Sequence, residues 1–294
     1  MTASVPVCVW PVGAELGEGP IWHARDQAIY FVDIKGKAIH RCAADGSQRQ
    51  SWATPHAPGF IAPCDDGGFI CGLQGGLYRF NRDSNDFSLI QPVEQHLPGN
   101  RVNDGFVDGR GRLWFGTMDN EESRPSGVLY RWERSRGLQA QDRGYVITNG
   151  PAMSPDGKTL YHTDTLQRTV YAFDVDAAGT LSRKRPFVHI EGSGYPDGMA
   201  VDAEGFVWVA LFGGWRIERF SPSGELAGVI PFPCANVTKL VFGGNDMRTV
   251  HVTTAWKGSS AEERGRQPLA GGLFSFIADT PGLAQHHLSA KVQK

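Results

Sequence analysis

The stretch 197-DGMAVDAEGFVWVALFGGWRIERFS-221 holds three short β runs separated by two turns. A first run ends at the polar turn Asp202-Ala203-Glu204-Gly205, and a second, Phe206 to Leu211, is almost wholly apolar. After Gly213-Gly214 comes a third run with a similar face, 216-RIERFS-221. Asp/Gly turns supply the positive φ of tight hairpins, and runs of this length are strands, not helices.

Working outward, the same unit recurs six times. Written in register, its leading strands are 18-EGPIWHAR, 60-FIAPCDDG, 103-NDGFVDGR, 149-NGPAMSPD, 197-DGMAVDAE and 236-NVTKLVFG. Their spacings are 42, 43, 46, 48 and 39 residues, the length of a four-stranded propeller blade and longer than a helical repeat. Further strands are expected at 5–10, 48–53, 87–93 and 226–232. The expected fold is therefore all-β, a six-bladed β-propeller with four antiparallel strands per blade, forming one domain over 1–294. The run 5-VPVCVW-10 is expected to pair in the same blade as residues 270–290, closing the ring and removing an exposed edge. One short helix is expected near 259–264, where Ser259-Ser260-Ala261-Glu262-Glu263 is a helix-start pattern.

Composition agrees, with 37 glycines and 18 prolines among 294 residues. A formal net charge of -2 gives no basic field for nucleic acid or an anionic membrane. No apolar run approaches the roughly 18 residues of a membrane span. The N-terminus lacks the basic-then-apolar order of a signal peptide. Five scattered cysteines without a C-x-x-C pair read as reduced thiols, hence a cytoplasmic location. The basic run 183-RKR-185 reads as a solvated outer strand.

In a closed propeller the innermost strands surround the axis, so equivalent positions form a ring. The register places Glu18, Phe60, Asn103, Asn149, Asp197 and Asn236 there. Two carboxylates brought together away from water would force one to protonate. A divalent cation on Glu18 and Asp197, with Asn149 as a neutral oxygen donor, removes that conflict and leaves coordination positions open. The oxygen ligands suit Ca²⁺, Mg²⁺ or Mn²⁺, and carboxylates also accept Zn²⁺ or Fe²⁺.

The motifs 16-LGEGPIW-22, 29-IYFVDI-34, 101-RVNDG-105, 113-LWFGTM-118, 148-TNGPAMSPDGKTLYHTDT-165 and 196-PDGMAVD-202 resemble, in order, those of the senescence marker protein 30, gluconolactonase and luciferin-regenerating enzyme family. The segments 160-LYHTDTL-166 and 268-PLAGGLF-274 look most like its bacterial pentonolactonases. The resemblance implies metal-dependent hydrolysis of an aldonolactone, such as arabinono- or xylonolactone, by a carboxylic ester hydrolase. It implies Glu18, Asn149 and Asp197 as ligands of one divalent cation, with Asp197 also the general base. Arg101, Asn103 and Glu121 would contact the sugar lactone, with adjacent Glu122 the alternative to Glu121. The competing readings are a metal-dependent phosphotriesterase or aryl-esterase, and a non-catalytic calcium-binding propeller.

Overall fold

The structure, a computed structural model, describes residues 4–289. Six four-stranded antiparallel sheets stand around an axis, each sheet one blade. Their inner strands are Gly17–His23, Pro58–Pro63, Asn100–Val107, Thr148–Met153, Tyr195–Val201 and Asn236–Gly243. These are buried almost throughout, because each packs against the blades on both sides. The outer strands alternate or face solvent, as in Asp86–Pro92 and Leu181–His189. Arg183 and Arg185 on the latter both pair with Asp174, so the basic run lies on an outer strand as expected.

Val7–Trp10 is the outer strand of blade six, antiparallel to Leu273–Ile277, so the N-terminal strand closes the ring. The expected partner range of 270–290 was too long. Beyond Ile277 the chain leaves the blade and crosses beneath the propeller. A bridge from Gly282 to Asp202 anchors it on blade five, and one from Leu288 to Cys64 anchors it on blade two. This strap carries no strand pattern, since among the described residues its β-bridges are confined to those two points. Leu288 is buried in the apolar cluster of blades two and three. Leu288→Ala is expected to cost about 2–4 kcal/mol, read as a lower urea midpoint with the far-ultraviolet spectrum unchanged.

The helix, Ala261–Arg266, starts two residues later than expected, because Ser260 is its N-cap and forms a capping box with Glu263. Blade hairpins have a shared device. Asp108 accepts from the backbone N–H of Arg110 and Arg112 and from the Trp114 indole at 2.7 Å. Asp202 does the same in blade five with Glu204, Phe206 and Trp208. A fully buried carboxylate thus satisfies the turn and locks a large aromatic at the start of the following strand.

All five cysteines are free thiols, four of them buried. Of four buried histidines, His162 and His251 are the most enclosed and stand as neutral rings. His162 meets Tyr145 edge-on at 4.8 Å, and His251 stacks on Trp22 at 6.2 Å. Neither ring has a hydrogen-bond partner among the described residues. Burial pushes His162 down to about 3 and His251 down to about 4. Below the ordinary value of 6.5 the unfolded chain takes up protons that the folded chain refuses. Their contribution is therefore intact above pH 6.5 and lost as pH falls towards 4 and 3. The expected slope is up to about 1.4 kcal/mol per pH unit per histidine. Urea unfolding of His162→Phe between pH 7 and pH 4.5 is expected to give a shallower loss than the parent; an equal slope would contradict this account.

Candidate metal and substrate site

The inner strands do not run straight past the axis. Each shifts register near its start: between Glu18 and Ile21, Asn149 and Ala152, and Pro196 and Met199, for example. The bulge swings the residue there towards the channel. At Gly150 the backbone takes φ 41°, a conformation that a side chain would strain. A Cβ on Gly198 would fall 2.5 Å from the Lys239 side chain. Glycine after the ring residue is thus demanded by backbone shape in one blade and by close approach in the other.

The inner strand of each blade ends in a turn whose leading carbonyl belongs to His23, Cys64, Asp108, Ser154, Asp202 or Gly244. Counting back five positions gives Glu18, Gly59, Asn103, Asn149, Asp197 and Lys239. Four of the six expected ring residues are therefore in place. Phe60 is one position away and packs in the core near Phe115. Asn236 is three positions away and joins loops, accepting from Gly213 N–H and donating to the Lys257 carbonyl.

Glu18, Arg101, Asn103, Asn149 and Asp197 line one cavity of about 270 Å³ at the channel mouth. Glu122 and Lys257 also line it, whereas Glu121 does not and instead accepts from Asn120. Leu16, Ile34, Met118, Ile147 and Phe212 form an apolar wall. A larger cavity, about 630 Å³, opens beneath the propeller beside the strap, but none of the expected site residues lines it.

The hydrogen bonds fix the donor orientation. Asn149 donates its amide nitrogen to Thr165 Oγ1 at 2.9 Å, while Thr165 donates onward to the Pro196 carbonyl. Its Oδ1 accepts from Asn103 Nδ2 at 2.8 Å and keeps a second lone pair. Asn103 spends its other amide hydrogen on the Thr148 carbonyl and accepts from Arg101 Nη1. Asn103 is consequently a clamp between Arg101 and Asn149, with one lone pair to spare.

The floor was not anticipated. Asp104, almost fully buried, accepts from the N–H groups of Gly105 and Gly150 and forms an ion pair with Lys239. Lys239 reaches across from blade six, so the pair seals the channel below the cavity. Nothing local pairs two residues so far apart in the chain; only the ring alignment, corrected by three positions in blade six, brings Lys239 forward.

Electrostatics mark the pair of carboxyls above that floor. Burial, then the charge of Asp104, pushes Glu18 up to about 7, although Lys239 and the Gly19 N–H oppose the shift. Burial, then Glu18 and Asp104, holds Asp197 well above the carboxylate range. Arg101 is pushed down to about 10 by burial, against Glu122, Glu18 and Asp197. Two buried carboxyls that resist ionising together, beside a correctly turned amide oxygen, are the donor set a divalent cation requires.

Residues 16–256 match the family model described as "SMP-30/Gluconolactonase/LRE-like region". The chain belongs to this family. It is 33% identical to a 6-deoxy-6-sulfogluconolactonase of Pseudomonas putida over 95% of its own length and 96% of that protein's. It is 35% identical to an L-arabinolactonase of Azospirillum brasilense, covering 92% and 90%. A solved structure of a calcium-binding protein, regucalcin, from Agrobacterium tumefaciens superimposes with a TM-score of 0.92 at 25% identity, over 97% of both chains. The two lactonases are carboxylic ester hydrolases, the enzyme class expected from the sequence. Among the described residues no helix is long and apolar enough to cross a membrane.

Proposed function

We propose that the chain is a metal-dependent lactonase that opens the cyclic ester of a sugar acid, a pentonolactone such as arabinono- or xylonolactone being the substrate suggested by its motifs. Glu18, Asn149 and Asp197 hold one divalent cation. The observation that carries this reading is the buried, mutually opposed pair Glu18 and Asp197 beside the oriented Asn149 amide. The lactonases among the relatives support the reaction, and the calcium-binding structural relative supports a divalent ion. The five free thiols support a cytoplasmic location.

A divalent cation bound there supplies Lewis-acid polarisation of the lactone carbonyl. Asp197 is charged once the pair is neutralised, and it takes the proton of the water that attacks the carbonyl carbon. As the bond from that carbon to the ring oxygen breaks, the proton passes to the ring oxygen, leaving an open hydroxy acid. Buried Arg101 and half-buried Glu122 face the sugar end of the substrate, and a missing partner would strand the Arg101 guanidinium. Asn103 holds Arg101 and Asn149 in place. The apolar wall takes the carbon face of the ring and excludes water. The floor made by Asp104 and Lys239 leaves one entrance.

The test is a turnover panel of aldonolactones, an aryl ester and a phosphotriester on metal-stripped protein reloaded with Ca²⁺, Mn²⁺ or Zn²⁺. Aldonolactones are expected to be turned over fastest. Faster cleavage of the aryl ester or phosphotriester, which the apolar wall could also receive, would replace the reading with the competing one. Arg101→Ala is expected to lower kcat/KM for the preferred lactone roughly ten- to a hundredfold, with metal content unchanged. Parallel loss of metal would make Arg101 a support for the ligands instead.

A further inference from the structure

The cavity mouth carries more positive charge than a neutral polyol needs. Lys257 lines it from blade six and pairs with Glu122 on the loop of blade three. Lys35 stands at the rim, where its ammonium reaches Asn120 Oδ1 at 3.4 Å. Arg101 lies between the rim and the carboxyls, and burial and its charge, with that of Lys257, disfavour the Lys35 ammonium. Among the described residues neither Arg101 nor Lys35 is in an ion pair.

The charges can be matched one by one. Asp104 is taken by Lys239, and Glu18 with Asp197 balance a divalent cation. Glu122 and Glu15 then face three cations, Lys35, Arg101 and Lys257, leaving one positive charge unmatched. Arg101 also offers a free edge. Its Nη1 is used on Val102 O and Asn103 Oδ1, while its Nε is buried with no partner. Nη2 makes no bond among the described residues. The Nε and Nη2 hydrogens form the fork that grips a carboxylate, phosphate or sulfonate through two oxygens.

We propose that the lactone received by this site carries an anionic group at the end remote from its ester carbonyl, held by Arg101 with Lys35 and Lys257. This rests on the lactonase reading, with an anionic aldonolactone in place of the neutral pentonolactone that the motifs suggest. The carbonyl is directed to the base of the cavity by Glu18, Asn149 and Asp197, so the far end of the molecule lies among the cations. Lys35 and Lys257 then determine specificity.

The experiment compares kcat/KM of the metal-loaded protein for glucono-1,5-lactone and for its 6-phosphate and 6-carboxylate counterparts. At least one anionic lactone is expected to exceed the neutral one by about tenfold or more, an advantage eroded by high salt. Lys257→Met and Lys35→Met are each expected to lower the anionic-to-neutral ratio about five- to tenfold. A merely structural role would lower both rates together. A neutral lactone turned over as well as the anionic ones, or a ratio untouched in both variants, overturns the proposal. Calorimetric titration with gluconate and 6-phosphogluconate separates this from failure of the lactonase reading. Tighter binding of the phosphorylated acid without turnover of any lactone would retain the anion site and reject the reaction. Equal binding of the two acids would reject the anion site.

Discussion

Asp197→Asn is expected to lower lactone hydrolysis by about a thousandfold or more, the largest functional effect of any single substitution in the site. The change removes the proton acceptor and one of only two negative charges available to a cation, effects that each cost orders of magnitude in rate. Asn149→Ala removes a neutral donor and is expected to cost less. Asp197→Asn also has an opposite effect on the protein without metal. The parent buries Glu18, Asp104 and Asp197 together, and removing one carboxyl relieves that crowding. The metal-free variant is therefore expected to melt at the same temperature as the metal-free parent or higher. The parent should gain stability on adding metal and the variant should not, since only a cation that binds the folded state stabilises it. A variant destabilised without metal and still stabilised by it would place the cation elsewhere.

The largest effect on stability is expected from Lys239→Met. Methionine keeps the unbranched stem beside Gly198 but leaves Asp104 a buried carboxylate without its cation. Breaking a buried pair from one side costs about 3–5 kcal/mol, because the remaining charge is uncompensated. Asp104→Asn combined with Lys239→Met removes both charges and is expected to recover much of that loss in urea unfolding. If the double variant is no more stable than the single one, Lys239 acts through packing, and the sealed floor is not electrostatic in origin.

Much of this was legible before any coordinates. Repetition gave the blades, because every blade needs the same polar turn and the same buried second strand. Glu18, Asn149 and Asp197 stood out because two carboxyls and an amide share a ring position and each precedes glycine. The ring failed at Phe60 and Asn236 for a physical reason. The alignment assumed equal bulges, but those of blades two and six hold one residue each, Gly59 and Thr238, where blade one inserts Gly19 and Pro20, a difference that covers only one of the three positions at Asn236. The pairing of Asp104 with Lys239 and that of Glu122 with Lys257 join distant blades. Each is long-range, and neither residue of either pair sits in a pattern that declares its partner. The choice between Glu121 and Glu122 depended on a turn of the loop, where Glu122 adopts φ 56°. The strap was invisible because its anchors are isolated bridges and one buried leucine, without the alternation that marks a strand.

On the proposed mechanism, one divalent cation on Glu18, Asn149 and Asp197 is required for turnover. Its most direct test is metal content and lactonase rate measured on the same sample, before stripping, after chelation and after reloading. One equivalent of metal is expected, with loss of activity on chelation while the six-bladed fold is retained, and recovery in proportion to metal restored. Full activity in protein carrying no metal, or one equivalent retained and active in the Asp197→Asn variant, would contradict it.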